Sequence, residues 1–269
     1  MNFKLLCTDI DGTLLNKDRQ LSALTISEIK RIHPEVPVIL ISSRMPKAMR
    51  HLQATLGIEE TPLIAYNGGL ILHGTEVIET TEIDVSTLET VIDLVENTSI
   101  HLSLYHNDDW FVPEMDYWAK REQNNTQVTP VVKSLSETLQ LLKSEQRGVH
   151  KIMAMGNENE IHQLFESVGS IHQEGLHLYR SKATYIEIAN KSISKETAIK
   201  KLLSTKFPEL KLDDVIAFGD NYNDIDMLKA VGAGIAVANA KQEVLVVSDD
   251  ITAANIEDGV ALSIQKYFK

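Results

Sequence analysis

The sequence contains little that would indicate a secreted, membrane-bound or multi-cysteine protein. It has 269 residues and one cysteine, Cys7. One thiol cannot form an internal disulfide framework or a multi-cysteine zinc or iron–sulfur site, and it fits a reducing compartment. The first residues lack the apolar stretch of a signal peptide, and no apolar run approaches the roughly 18 residues of a membrane span. We therefore expect a cytoplasmic protein that does not bind membranes.

Positive charge is also scarce. The chain has 26 Lys and Arg against 38 Asp and Glu, which gives a net charge of −12. Such a charge repels polyanions, so we do not expect nucleic acid as a partner. The hydrophobic fraction of 43% and the charged fraction of 24% are ordinary for a soluble globular chain. The length fits two domains or one large one, and the oligomeric state stays unknown.

Three short apolar runs, at residues 3–8, 36–41 and 215–218, each end in a polar cluster and are typical of buried parallel strands. Helical patterns lie between or after these runs, at residues 21–32, 47–56, 195–203 and 224–231. This alternation predicts an α/β fold with a Rossmann-like parallel-sheet core and helices on both faces. The polar clusters should converge, because ligands of such folds bind at the carboxyl ends of the strands.

The middle of the chain has a different pattern. Residues 82–190 contain two candidate hairpins, at 101–114 and 176–190, with helical stretches at 85–96 and 158–168. We predict that 82–190 form an inserted α+β cap domain and that 1–81 and 191–269 form the core. The cap holds six of the nine histidines without a compact metal-binding pair, so core or solvent positions are expected for them.

Four aspartates stand at the ends of the first and third runs. Asp9 and Asp11 belong to the stretch DIDGT, and Asp220 and Asp224 belong to GDNYND. A turn is the ordinary interpretation of an isolated Asp-Gly, and helix capping accounts for one of the later pair. Four converging carboxylates would repel one another unless a cation lay between them. Mg²⁺ is favoured over Ca²⁺, because few carboxylates are supplied and the ion would keep waters and a phosphate oxygen.

The second run ends in Ser42, Ser43 and Arg44, whose hydroxyls and backbone amides could hold a phosphate, although such a turn is more often a simple loop. Lys195 begins a predicted helix. Most lysines face solvent, but here the ammonium could neutralise a phosphate and a carboxylate together.

Taken together, DIDGT, the Ser42 strand end, Lys195 and GDNYND resemble the four motifs of the haloacid dehalogenase superfamily, in their order and approximate spacing. Three further stretches resemble its Cof-type subfamily (type IIB), namely Tyr66 to Gly69, VGAGIAVANA and DDITAANIEDGVA. Two departures from the family pattern matter. Ser42 and Ser43 stand where a threonine and a glycine are usual, and Glu196 follows Lys195 where a glycine is usual.

The resemblance implies a role for each motif. Asp9 would be the nucleophile that forms an aspartyl phosphate, and Asp11 the general acid and then the general base. Magnesium would contact the Asp9 carboxylate, the Asp11 backbone carbonyl and Asp220, with assistance from Asp224. The phosphate would be held by Ser42, Ser43, Lys195 and Asn223.

The predicted function is therefore a Mg²⁺-dependent phosphatase for small phosphorylated metabolites, with sugar phosphates plausible from the subfamily. Two alternatives stay open. A phosphotransferase or phosphomutase would use the same aspartyl phosphate with another acceptor. A phosphorylatable receiver or a phosphate sensor would be a signalling module rather than an enzyme, and the lifetime of the aspartyl phosphate would distinguish it.

Overall fold

The computed structural model describes residues 3–171 and 174–269, with the side chain of residue 181 left out. The chain divides into two compact units. The core unit comprises Met1–Thr80 and Ser194–Lys269, and the cap unit comprises Thr81–Ile193. The cap unit thus begins one residue before the predicted segment 82–190 and ends three residues after it.

The described residues form fourteen strands and ten α-helices. In chain order the strands are β1 (Leu5–Asp9), β2 (Val38–Ile41), β3 (Leu63–Ala65), β4 (Leu70–His73), β5 (Glu76–Thr80), β6 (His101–His106), β7 (Asp109–Val112), β8 (Val131–Val132), β9 (Lys151–Met155), β10 (Leu176–Lys182), β11 (Tyr185–Asn190), β12 (Val215–Gly219), β13 (Ala233–Val237) and β14 (Asp250–Thr252). The helices are α1 (Ala23–Ile32), α2 (Arg50–Leu56), α3 (Val85–Val95), α4 (Tyr117–Thr126), α5 (Leu135–Ser144), α6 (Glu158–Ile171), α7 (Lys195–Lys206), α8 (Ile225–Ala230), α9 (Gln242–Val247) and α10 (Gly259–Tyr267).

The core unit is built on a sheet in the order β14-β13-β12-β1-β2-β3-β4-β5. The strands from β14 to β3 are parallel, and β4 and β5 add an antiparallel edge. Strand β1 is fully buried between β12 and β2, as its apolar sequence requires. With helices on both sides, this sheet confirms the predicted α/β fold.

The parallel register places three strand ends at one edge. Thr8 pairs with Phe218 on one side and Asp9 pairs with Ile41 on the other. The residues that follow β2 and β12 therefore emerge beside the end of β1, where ligands of such sheets bind.

The cap unit has its own sheet, in the order β10-β11-β9-β6-β7-β8. Its neighbours pair antiparallel except β7 and β8, and the two predicted hairpins are β6–β7 and β10–β11. Leu88 of α3, Leu142 of α5 and Leu164 of α6 pack with buried strand residues in one apolar cluster. The prediction of an α+β unit is confirmed.

Neither unit contains a membrane-spanning element among its helices: within 3–171 and 174–269, no helix combines the length and the apolar character that a bilayer crossing needs.

Candidate active site

The end of β1 passes into a tight turn at residues 10–14. The turn is closed by the Leu15 amide, which donates to the Ile10 carbonyl oxygen at 3.0 Å. Gly12 has φ +87°, and a Cβ on it would lie 2.5 Å from Oδ2 of Asp220. Only glycine therefore lets this turn approach the end of β12 so closely.

Lys195 connects two of the predicted acids. It is the first residue of α7 and is fully buried. Its ammonium donates to Oδ1 of Asp9 at 2.5 Å and to Oδ1 of Asp224 at 2.6 Å. A buried cation needs such partners, because an unpaired charge in the interior is costly. The sequence suggested the neutralising role of this lysine, and the structure places it between two carboxylates.

Asp9, Asp220 and Asp224 form a compact acidic group. One carboxylate oxygen from each lies within 4.8 Å of the others. Burial and the charges of Asp224 and Asp220 raise the pKa of Asp9, against the lowering effect of Lys195. Burial and the charge of Asp224 raise the pKa of Asp220 to about 6. An oxygen-rich group with excess negative charge suits a hard divalent cation, which would lower both pKa values again.

Asp224 is more fully engaged than the other two acids. Its Oδ2 accepts the backbone N–H groups of Asp220 and Asn221, each at 3.0 Å, and its Oδ1 accepts from Lys195. Asp224 therefore fixes both the loop after β12 and the lysine.

Asp11 does not join this acidic group with its side chain. The two-residue spacing of Asp9 and Asp11 would place both carboxylates on one face of an extended chain. Strand β1 ends at Asp9, however, so this alternation does not continue to Asp11. Its two oxygens accept from Nε and Nη2 of Arg44, each at 2.7 Å. Burial raises the pKa of Asp11, but the hydrogen bonds and charge of Arg44 outweigh it and hold the pKa below its ordinary value. The fork geometry of arginine explains the bidentate pair.

The turn after β2 holds the predicted phosphate-binding serines. Ser42 is buried, its amide donates to the Ile64 carbonyl at 3.0 Å, and its hydroxyl accepts from the Arg44 amide at 3.2 Å. Ser43 follows as a half-buried residue. Asn223, in the turn after β12, donates from Nδ2 to Oδ1 of Asn67 at 3.1 Å. The serines and Asn223 thus lie on loops that Asn67 connects.

The departure at Glu196 has a local explanation. Its carboxylate accepts from Lys200, one helical turn later on α7, at 2.5 Å. This i,i+4 pair compensates the charge of Glu196 on the helix surface, away from the buried ammonium of Lys195.

Two asparagines that sequence reasoning did not single out brace the turn after β1. Asn239 donates to the Gly12 carbonyl at 2.8 Å, and Asn255 donates to the Leu15 carbonyl at 2.7 Å. Asn255 also donates its backbone N–H to Oδ1 of Asn239 at 2.8 Å. Both lie in the stretches VGAGIAVANA and DDITAANIEDGVA, whose resemblance to the family was the available signal.

A second group of possible metal ligands lies in the cap unit, at Glu82, His106 and His150. Nδ1 of His106 lies 3.0 Å from the Gly148 carbonyl oxygen, so it carries a proton and is not a ligand atom in this arrangement. Burial lowers the pKa of His106 and lowers that of His150 to about 3. These two are neutral core histidines; His172, also among the cap histidines, lies outside the described residues.

Residues 6–264 match the profile of a family described as haloacid dehalogenase-like hydrolase. A protein of Haemophilus influenzae, provisionally named a phosphatase, is 31% identical over 100% of this chain and 99% of its own. In Bacillus subtilis, 5-amino-6-(5-phospho-D-ribitylamino)uracil phosphatase is 26% identical over 98% of this chain and 97% of its own.

Among solved structures, the sugar phosphatase BT4131 of subclass IIB superposes with a TM-score of 0.80. The superposition covers 98% of each chain at 23% identity. At that identity the likeness concerns the fold, including both the core and the inserted unit.

Proposed function

This chain belongs to the haloacid dehalogenase-like hydrolase family and is a phosphatase of it, and from that premise we propose that it hydrolyses small phosphorylated metabolites through an aspartyl phosphate on Asp9. The observation that carries the proposal is the buried contact of Asp9 with Lys195 beside Asp220 and Asp224. A carboxylate attacks an anionic phosphate only when cations neutralise both. Lys195 supplies one positive charge, and the excess negative charge of the acidic group would bind the metal ion that supplies the rest.

In the first step, an oxygen of Asp9 forms a bond to phosphorus while the bond from phosphorus to the leaving oxygen breaks. Asp11, in its protonated form, gives its proton to the leaving oxygen and an alcohol departs. Lys195 holds Asp9 in place and offsets the charge of the phosphate.

In the second step, Asp11 removes a proton from water and the resulting hydroxide attacks phosphorus. The bond from phosphorus to Asp9 breaks, which releases inorganic phosphate and restores the Asp9 carboxylate. The proton taken from water stays on Asp11, which thereby regains the form that the first step needs. The ion pair with Arg44 lowers the pKa of Asp11, so the protonated form gives up its proton readily and the carboxylate is favoured between the two steps.

The phosphate oxygens would be held by Ser42, Ser43, Lys195 and Asn223. Magnesium would be bound by Asp9, Asp220, Asp224 and the backbone carbonyl of Asp11. When bound, it would neutralise the phosphate and orient it for in-line attack.

Sugar phosphates are the substrate class we propose. The support is the ribityl phosphate named for the Bacillus subtilis relative and the sugar phosphatase of similar fold. The excess of acids over bases, 38 against 26, fits small substrates rather than polyanions. The cap unit would select the leaving alcohol.

The test is phosphate release from a panel of sugar phosphates, nucleotides and other phosphorylated metabolites, with and without Mg²⁺. We expect release from several sugar phosphates that is lost on chelation and restored by added Mg²⁺. Absence of release from every compound by folded, metal-loaded protein would reject hydrolysis and favour a transferase, receiver or sensor.

We expect replacement of Arg44 by lysine to act mainly on substrates that need a proton at the leaving oxygen. Lysine keeps the charge but loses the fork that positions Asp11. For a sugar phosphate, kcat/KM should fall roughly 10- to 100-fold, less than the roughly 10²- to 10⁴-fold of general acid–base catalysis, because Asp11 is misplaced rather than removed. The leaving group of p-nitrophenyl phosphate departs without protonation, so kcat/KM for this substrate should fall by no more than about threefold.

The matched control is Arg31→Lys, which alters the pair of the exposed Arg31 with the buried Glu28 on α1. Equal losses on both substrates would contradict the interpretation, because Arg44 would then act on the phosphate rather than on Asp11.

A further inference from the structure

The turn after β3 is built from residues in an unfavourable conformation. Tyr66, Asn67 and Gly68 have φ values of +52°, +55° and +109°. Residues with a Cβ rarely adopt this region, and such conformations persist where the surroundings determine them. A Cβ on Gly68 would lie 2.6 Å from the Ser194 carbonyl oxygen, so the turn is pressed against the start of α7.

Asn67 joins the two loops that carry the proposed phosphate ligands. Its backbone N–H donates to the Ser42 carbonyl at 2.8 Å, and the preceding N–H, of Tyr66, donates to the Arg44 carbonyl at 3.1 Å. Its side-chain Oδ1 accepts from Nδ2 of Asn223 at 3.1 Å. The end of β2 and the turn after β12 therefore meet at this one residue.

Only one of the two polar atoms of the Asn223 side-chain amide forms a hydrogen bond among the described residues. Nδ2 is bonded to Asn67, whereas Oδ1 is buried and has no hydrogen-bond partner among the described residues. A half-turn of the carboxamide group exchanges the positions of its oxygen and nitrogen. Which atom occupies which position is assigned from the hydrogen-bond network. The ionised oxygens of a phosphate only accept, so Asn223 can bind them only when Nδ2, rather than Oδ1, faces them.

We infer that Asn67 is a positioning residue, which donates from its own Nδ2 to Oδ1 of Asn223 and thereby turns Nδ2 of Asn223 toward the phosphate. The inference rests on the proposed function, which makes Asn223 a phosphate ligand. Both amides rotate by a half-turn relative to the described arrangement, so the contact between them is kept with donor and acceptor exchanged.

Two substitutions of Asn67 separate its roles. Asn67→Gly keeps the left-handed backbone without strain and removes the amide, so inorganic phosphate should bind roughly 10-fold more weakly. Asn67→Asp offers only acceptors, so it should hold Nδ2 of Asn223 and turn Oδ1 toward the phosphate. Binding by that variant should be roughly another 10-fold weaker.

The Asn223→Ala background shows whether the effect passes through Asn223. In that background, adding Asn67→Gly or Asn67→Asp should leave the phosphate affinity within about twofold of that of Asn223→Ala alone. The reason is that residue 223 no longer has an amide for residue 67 to orient. If the aspartate variant stays much weaker than the glycine variant there, its charge repels the phosphate directly and the inference is overturned.

The measurement is calorimetric titration of the full chain with inorganic phosphate in the presence of Mg²⁺, with melting curves to confirm folding. Gln146→Gly is the matched control, since Gln146 is an exposed residue of the cap unit with φ +53°. Unchanged phosphate affinity in Asn67→Gly, or no phosphate binding by the wild type, would overturn the inference. This readout needs no turnover, so it is independent of the hydrolysis test.

Discussion

Replacing Asp9 by asparagine is expected to abolish turnover while the fold survives. Asparagine has nearly the same volume, but its amide is not a nucleophile, so kcat should fall by on the order of 10⁴ or more. Lys195 keeps its bond to Asp224 in this variant, so the buried ammonium is not left unpaired. Phosphate release and thermal unfolding of the same preparation measure the two expectations together.

The matched control is Asp226→Asn, which removes an exposed carboxylate on α8, two residues beyond Asp224. It should retain wild-type activity within about twofold, because surface charges contribute little. Hydrolysis by a clean Asp9→Asn preparation at a rate near that of the wild type would exclude Asp9 as the nucleophile.

The sequence allowed the convergence of Asp9, Ser42 and Asp220 to be predicted because it rests on a simple geometric rule. Apolar runs followed by polar clusters mark parallel strands, and parallel strands end at the same edge. The structure has β1, β2 and β12 as neighbours, with Asp9 paired to Ile41. Strand order alone therefore predicts that residues more than 200 positions apart in the sequence lie close together.

The partners of these residues could not be predicted in the same way. The pair of Asp11 with Arg44 depends on where β1 stops, and a two-residue alternation carries no information about that end. The role of Asn67 depends on three successive residues with positive φ, of which only the last is glycine. Side-chain contacts across loops are decided by tertiary packing, which local sequence patterns do not encode.

In the cap unit, too, the sequence pattern predicts some elements and misses others. Hydrophobic periodicity predicts its two hairpins and the helices α3 and α6, but not α4 and α5. Helix α4, YWAKREQNNT, has only one fully buried residue, Ala119, so it lacks the apolar stripe that would have revealed it.

The second large effect is expected from replacing Lys195 by methionine. The side chain is fully buried between Asp9 and Asp224, and methionine fills similar space without the charge. Activity should fall by on the order of 10³ or more, since neutralisation of nucleophile and phosphate is lost together. Removing one partner of a buried ion pair should also lower the stability of the core unit by about 3–5 kcal/mol.

The pH dependence of this loss has a definite sign. Burial and the charges of neighbouring acids raise the folded-state pKa values of Asp9 and Asp220, and loss of the ammonium removes a charge that lowers both. The folded variant then binds more protons than the unfolded chain, so its stability falls as pH rises through the raised pKa values. Melting temperatures at pH 5 and pH 8 should therefore differ more in the variant than in the wild type.

Lys200→Met is the control on the same helix, because Lys200 is exposed and forms its ion pair with Glu196 on the helix surface. It should change stability by less than about 1 kcal/mol at either pH. Mg²⁺ should raise the melting temperature of Lys195→Met more than that of the wild type, because a cation in the acidic group replaces the missing charge. Equal melting temperatures of Lys195→Met and wild type, at both pH values and without Mg²⁺, would mean that the ammonium does not hold these carboxylates together.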